Sequence, residues 1–370
     1  MKGITMDKLK PKRKTRFLII VVIISCAFLV TAGILCYGKY QMGKIPELTF
    51  EEALAYTTKD NPDACITVGT ARDGQISCKV YGENGKELPM ELHTYEIGSL
   101  TKTFTAAMIN KAVSEGKIKM DDTIDLYLTL PDSNEYPTIK ELLTHTSGYK
   151  GYYFESPMVS NFLHGRNDFY GITGKMVLDQ AGSLDMDRTD YGFTYSNYGY
   201  AVLGLVLEAV YDTDYATLAN DFIQNELGLE NTRISDEDGD LGNYWDWAAG
   251  DAYLSAGALT SDISDMLSYA RMQLADNPYF NDCHQSLETI DASTEAYQAM
   301  GIRMDEIGMA WIIDRENGII WHNGGTGDYN CYLGFHPETR TAVVVLSNLA
   351  PHERIPATVL GVKLLTELAQ

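Results

Sequence analysis

Several chemistries are missing from this sequence. None of its seven histidines stands in an HExxH or HxH spacing, which argues against a metallohydrolase. No CxxC pair occurs among its six cysteines, so neither a structural zinc site nor a thioredoxin-type redox pair is expected. There is no G-x-S-x-G elbow of the α/β-hydrolase kind and no phosphate-binding P-loop. No metal or cofactor is therefore expected. Positive charge is scarce after the first sixteen residues. Those sixteen carry seven basic groups and one acidic group, so a net charge of −22 leaves −28 on the rest. Such an acidic body argues against nucleic-acid binding, which needs a basic face.

What remains is a chain of 370 residues, 45% hydrophobic and 11% aromatic, enough to bury a sizeable core. Phe17 to Tyr37 is an uncharged apolar run. As a helix it would span about 31 Å, the thickness of a bilayer's hydrocarbon core. Lys8, Lys10, Lys12, Arg13, Lys14 and Arg16 precede it, which by the positive-inside rule keeps the N-terminus cytoplasmic and exports the remainder. The competing reading is a cleaved signal peptide, but the run exceeds the usual ~7–15-residue core and no Ala-x-Ala site follows. The expected organisation is a basic tail (1–16), a transmembrane helix (17–37), a linker (38–47) and an extracytoplasmic domain (48–370). Outside the cell disulfides persist. Cys65 and Cys78 flank Arg72-Asp73-Gly74 on two short strand-like runs, so either a cross-strand disulfide or separate buried thiols is expected there.

Thr49-Phe50-Glu51-Glu52 is a capping box opening a helix to about Thr57. Strands are expected at Cys65–Thr70, Gln75–Tyr81 and Tyr95–Gly98, then a helix from Ser99 to Gly116. About 120–300 reads as mostly helical, with helices at Thr138–Leu143, Tyr200–Tyr211 and Ser261–Leu274 and an acidic surface loop at Ile234–Asp246. From Met309 the period becomes strand-like through MAWIID, GIIWHN, NCYLGFHP and TAVVVLSN, before a closing helix at His352–Leu368. Strands at both chain ends can share one antiparallel sheet. The fold class is α+β, with flanking helices and a mostly helical inserted subdomain.

Three short motifs carry possible chemistry. Ser99-Leu100-Thr101-Lys102 places a hydroxyl and an amine one helical turn apart. A helix N-terminus and burial both favour the neutral amine, which a general base requires. Tyr195-Ser196-Asn197 precedes an apolar run and offers a phenol for proton relay and an amide for a substrate carbonyl. His322-Asn323-Gly324-Gly325-Thr326-Gly327 follows an apolar strand, and its paired glycines let backbone approach a ligand closely. Each alone is weak: the bland readings are an N-cap, core packing and a tight turn.

In this order the motifs resemble the active-site signature of the β-lactamase-like serine hydrolases: class C β-lactamases, low-molecular-weight penicillin-binding proteins and DD-peptidases, and related esterases. Ile139-Lys140-Glu141-Leu142-Leu143-Thr144-His145-Thr146-Ser147-Gly148 is similar to that family's LLTHTSG segment. Ala256-Gly257-Ala258-Leu259-Thr260-Ser261 is similar to its AGGLxS run, and Gly308-Met309-Ala310-Trp311 to its Gly-x-Gly-Trp strand. The resemblance spans about residues 48–368. It implies Ser99 as acylated nucleophile and Lys102 and Tyr195 sharing acid–base work, with His322 on the opposite wall. It further implies Asn197, Asn323, Gly324, Gly325 and Thr326 in substrate binding, and the Ser99 and Gly325 N–H groups as oxyanion hole. The substrate would be a small molecule or peptide, cell-wall-derived compounds among the candidates, cleaved at an amide or ester. His145 is expected to hold structure by hydrogen bonding.

The departures point away from β-lactams. His322 stands where β-lactamases usually carry Lys, Asn323 replaces a hydroxyl residue, and Asp328 adds a carboxylate that would repel an anionic substrate. Peptidase or esterase activity is expected over true β-lactamase activity. The alternative from another class is a penicillin-recognising sensor with little turnover.

Overall fold

The computed structural model describes residues 43–187, 190–234 and 239–370. The apolar run 17–37, read as a membrane span, and its basic tail lie outside the described residues. Among the described residues no helix is long and apolar enough to cross a membrane. Residues to Leu48 and Thr49–Gln370 form separate compact units. In the first, Ile45–Glu47 makes one 3₁₀ turn.

The larger unit is α+β. Its strands are β1 (Ile66–Arg72), β2 (Gln75–Tyr81), β3 (Glu87–Leu88), β4 (Tyr95–Glu96), β5 (Thr260–Ser261), β6 (Glu288–Thr289), β7 (Glu306–Ile307), β8 (Ile312–Asp314), β9 (Ile319–Gly325), β10 (Asn330–His336) and β11 (Thr341–Ser347). Nine of them form an antiparallel sheet in the order β3-β2-β1-β11-β10-β9-β8-β7-β6. All seven residues of β11 are buried, so this central strand is covered on both faces. Tyr332 lies across from Val345, which pairs with Val68. That row faces the closing helix Ala357–Ala369, where a Cβ at Gly361 would collide with the Tyr332 ring. Gly69 points the other way, against Ile263 and Leu267 of helix Ile263–Gln273. Helices therefore cover both faces.

The β1–β2 hairpin turns on Asp73 and Gly74, with φ of +50° and +80°. Two such residues give a type I′ turn, whose twist matches that of the strands. A Cβ at Gly74 would meet nothing within 4 Å. Gly74→Ala is therefore a pure backbone test, expected to cost about 1 kcal/mol in a denaturant melt. The register also decides the cysteines. Cys78 lies opposite Gly69, four residues from Cys65 and so roughly 13 Å along the strand. Of the two readings, separate thiols hold: Cys65, Cys78, Cys283 and Cys331 are free, and Cys65 Sγ lies 3.2 Å from the Tyr95 hydroxyl.

The expected capping box of Thr49 with Glu52 forms, and Thr138 makes a second one with Glu141. Other boundaries shift. Only Tyr95–Glu96 of the strand expected at Tyr95–Gly98 is extended, and it pairs with β5 in a separate two-stranded ribbon. The segment read as helical contributes two strands, β5 to that ribbon and β6 to the edge of the main sheet. The helix after Ser99 begins at Thr101, following a 3₁₀ turn over Gly98–Leu100.

Candidate active site

Ser99 sits in that 3₁₀ turn. It is held there because Gly98 takes φ +49° and lies against the backbone of Gly325, where a Cβ would come within 2.7 Å of the Gly325 nitrogen. Lys102, three residues on, is wholly buried in helix Thr101–Ser114. Its Nζ lies 3.0 Å from Ser99 Oγ and donates to Asn197 Oδ1 and to the Ala256 carbonyl, both at 2.7 Å. All three partners are neutral oxygens. With no carboxylate to stabilise the ammonium, burial pushes the Lys102 pKa well below its ordinary value. A neutral amine has two hydrogens and one lone pair. The two carbonyl oxygens take the hydrogens, which leaves the lone pair for the Ser99 hydroxyl.

The second motif is locked by its neighbours. Ser196 caps helix Asn197–Tyr211, accepting from Gly199 N at 2.8 Å and donating to the Lys150 carbonyl at 2.7 Å. This leaves Asn197 as the first helical residue, facing Lys102. His145 Nδ1 accepts from Ser196 N at 3.1 Å, and its ring lies 4.4 Å from that of Tyr195. Because Nδ1 accepts, the proton is on Nε2, a buried atom with no hydrogen-bond partner among the described residues. Burial holds the His145 pKa well below the ordinary value, keeping the ring neutral. The Tyr195 ring lies 5.0 Å from Lys102 Nζ. Tyr195 is 38% exposed as a residue, but desolvation of its phenol in the site raises its pKa above the ordinary value, and hydrogen bonding with Ser99 opposes this only in part. Tyr195 is thus a neutral proton donor at pH 7.

The third motif lies on β9. Strand β8 pairs with β9 only as far as Trp321, so His322–Gly325 have a free edge on that side. Thr326 N donates to the Tyr329 carbonyl at 2.9 Å across the β9–β10 turn. By antiparallel alternation the next pair, Gly325 and Asn330, is not hydrogen-bonded, and the Gly325 N–H points off the ladder. Gly324 packs so closely that a Cβ would fall 1.9 Å from the Ile97 carbonyl oxygen. His322 is buried, and its Nδ1 donates to the Asn323 carbonyl at 2.6 Å, leaving Nε2 as acceptor. Burial lowers the His322 pKa to about 3. Asn323 is exposed beside it.

Thr326 is placed differently from the other motif residues. It is buried, and its hydroxyl donates to Glu96 Oε2 at 2.5 Å, so it is committed to the protein. Glu96 also accepts from Trp245 N at 2.6 Å and so ties the third motif to the loop carrying Trp245. The cleft, about 50 Å³, is lined by Ser99, Asn197 and Gly325 together with Phe169, Trp245, Trp247 and Tyr253. Its lining includes no Arg or Lys among the described residues.

Burial, with Asp328 adding repulsion, pushes the Glu96 pKa from 4.5 up to about 7. A carboxyl raised on folding stabilises the fold when protonated. That contribution is complete below about pH 4.5 and is lost as pH rises through about 7. Glu96→Gln is expected to remove about 2–3 kcal/mol of stability loss between pH 4.5 and 8. Urea melts of both proteins across that range check it.

A family profile described as Beta-lactamase matches residues 64–364. The chain belongs to the beta-lactamase family. Among its relatives is Protein flp of Staphylococcus aureus (strain MW2), 25% identical over 284 residues, covering 69% of this chain and 53% of that one. The chain spans about half the length of the curated relatives it matches. An octameric penicillin-binding protein homologue from Pyrococcus abyssi superposes with a TM-score of 0.68 at 22% identity, covering 86% of this chain and 75% of that one. A beta-lactamase/D-alanine carboxypeptidase from Yersinia pestis gives 0.66 at 20%, covering 90% and 99%. At these identities the superpositions speak for the beta-lactamase-family fold.

Sequence reasoning missed the aromatic walls of this family member's cleft. Trp245 belongs to the stretch read as an acidic surface loop, and Phe169 to an irregular segment with no period. Glu96 was passed over as one strand residue among others. Its only signal was a carboxylate three residues before Ser99 in an apolar run.

Proposed function

We propose that this chain is a serine hydrolase that cleaves an amide or ester through an acyl-enzyme on Ser99. The observation that carries the reading is the buried Lys102 Nζ, 2.7 Å from both Asn197 Oδ1 and the Ala256 carbonyl and 3.0 Å from Ser99 Oγ, which as a neutral amine would turn its lone pair to that hydroxyl. Ser99 Oγ attacks the substrate carbonyl while its proton passes to Lys102 Nζ. The Gly325 N–H, off the ladder, and the Ser99 N–H take the developing oxyanion. The proton then returns to the leaving amine or alcohol through Tyr195, whose phenol is neutral. Water attacks the acyl-enzyme with the same groups reversed and frees Ser99. Asn197 orients the substrate amide, Asn323 stands at the rim, and His322 Nε2 supports the proton network from the facing wall.

The substrate class follows from the walls. Four aromatic residues and no fixed cation in the lining favour an uncharged group over the carboxylate of a β-lactam. Peptidase, amidase or esterase activity is therefore favoured over β-lactamase activity. Fold neighbours include a D-alanine carboxypeptidase and a D-stereospecific amidohydrolase. The basic tail and the apolar run 17–37 support a single-pass anchor, with the N-terminus cytoplasmic and the larger unit outside.

The test is turnover of ester, D-Ala-D-Ala peptide and β-lactam panels by the full chain in lipid nanodiscs, with Ser99→Ala as control. Ser99-dependent ester or peptide hydrolysis exceeding β-lactam hydrolysis is expected. Rapid β-lactam turnover, stable penicillin labelling without turnover, or activity surviving Ser99→Ala would each contradict it.

A further inference from the structure

The described surface exposes an unusual group of large apolar side chains beside the cleft. Phe162 is 79% exposed, Phe154 71% and Tyr152 58%. With Met158, Phe169 and one charged residue, Asp168, they line a groove of about 260 Å³. Single exposed apolar residues need no explanation, but a contiguous set around a cavity does.

Two observations tie this groove to Ser99. The first is continuity. Phe169 lines both the groove and the Ser99 cleft. From it aromatic contacts run both ways, to Tyr152 at 6.4 Å and to Tyr253, stacked at 4.2 Å. The second is rigidity. The groove-bearing segment is fastened by two buried asparagines. Asn161 Nδ2 donates to the Asp168 and Tyr170 carbonyls at 3.2 and 2.8 Å. Asn167 Nδ2 donates to the Asp246 carbonyl at 3.2 Å, while its Oδ1 accepts from Phe169 N at 3.0 Å. Arg166 adds an ion pair to Asp246 at 3.2 Å. Helix Ser156–His164 buries only Met158 and Asn161, so packing alone holds little of it. The buried polar groups hold water-exposed phenylalanines at fixed positions next to a cleft, an arrangement suited to a pre-formed apolar subsite.

We propose that this groove binds an extended apolar portion of the substrate, an alkyl or aryl chain attached to the acyl or leaving group whose carbonyl sits at Ser99. The inference rests on the serine-hydrolase reading and deepens it to a substrate class: esters or amides bearing a chain of several carbons. Each methylene entering the groove raises kcat/KM, by up to about fourfold when fully buried. The dependence levels off once the chain outgrows the groove.

The experiment uses the full chain in lipid nanodiscs and a series of p-nitrophenyl esters from acetate to dodecanoate. It compares wild type with Phe162→Asp, a change at an exposed helix position where folding is retained. Wild type is expected to favour octanoate over acetate by at least tenfold. Phe162→Asp is expected to remove most of that preference and leave acetate turnover unchanged. Titration with decan-1-ol, followed by the fluorescence of Trp245 and Trp247 and corrected with empty nanodiscs, reads the groove without turnover. Saturable quenching in wild type, weakened at least fivefold in Phe162→Asp, is expected. Acetate turnover that depends on Ser99, with a flat chain-length series or one unchanged in Phe162→Asp, overturns the groove and leaves the hydrolase standing. Saturable decan-1-ol binding with no ester turned over sinks the hydrolase instead. Absence of saturable quenching in wild type overturns the groove whatever is turned over.

Discussion

Lys102→Met is expected to lower kcat/KM for any Ser99-dependent substrate by about a thousandfold, within the ~10²–10⁴ range of a lost general base. Methionine fills similar space but has no basic lone pair within reach of Ser99 Oγ. Lys102→Arg should be as damaging, because a guanidinium stays protonated and cannot accept the serine proton. Stability should fall as well. Methionine removes a buried amine but leaves Asn197 Oδ1 and the Ala256 carbonyl without their donor, a cost of about 1–3 kcal/mol each, partly offset by better apolar burial. Circular dichroism and a denaturant melt separate the two effects. A folded Lys102→Met protein with activity within tenfold of wild type would remove the lysine from the proton path.

Gly324→Ala carries the second large effect. A Cβ there meets the Ile97 carbonyl oxygen at 1.9 Å and Cys331 Sγ at 2.7 Å. The thiol can turn, but the carbonyl cannot, since Ile97 leads directly into Gly98 and Ser99. The clash must therefore part β9 from the turn that carries Ser99, and Gly325 N–H moves with it. Loss of one oxyanion donor costs about 10²–10³ in kcat, so a drop of that size in kcat with a smaller change in KM is expected. Steady-state kinetics on a short ester checks it. Unchanged kcat would show that the Gly325 edge does not serve the reaction.

These two residues also show what the sequence makes legible. Ser99 and Lys102 can be paired from their spacing, because three residues along a helix define one face. The terminal strands can be read because β9, β10 and β11 are long, apolar and separated by turn residues. What spacing does not carry is which loop closes over which turn. Trp245 comes from an irregular acidic stretch, and the Glu96 carboxylate, accepting from Trp245 backbone N, pins the loop that carries this indole at the cleft. Thr326 shows the converse. Motif position suggests a ligand-facing hydroxyl, while the fold turns it to Glu96. Register decides between the two readings of Cys65 and Cys78. Two cysteines on neighbouring strands are bridgeable only when opposite, and pairing of Gly69 with Cys78 separates them. His145 fits the supporting part expected of it, accepting from Ser196 N with its ring tilted at 40° against Tyr195.

The account turns on an amine that is neutral near physiological pH and takes the Ser99 proton. Its most direct test is the rate at which a fluorophosphonate labels the full chain from pH 5 to 11, with the modified residue located by peptide mass mapping. The predicted result is label on Ser99, with a rate that rises from acid pH and levels off well below pH 10, as burial of Lys102 requires. Label on another residue, or a rate still climbing beyond pH 10 as an unperturbed lysine or a Tyr195 phenolate would give, would contradict it.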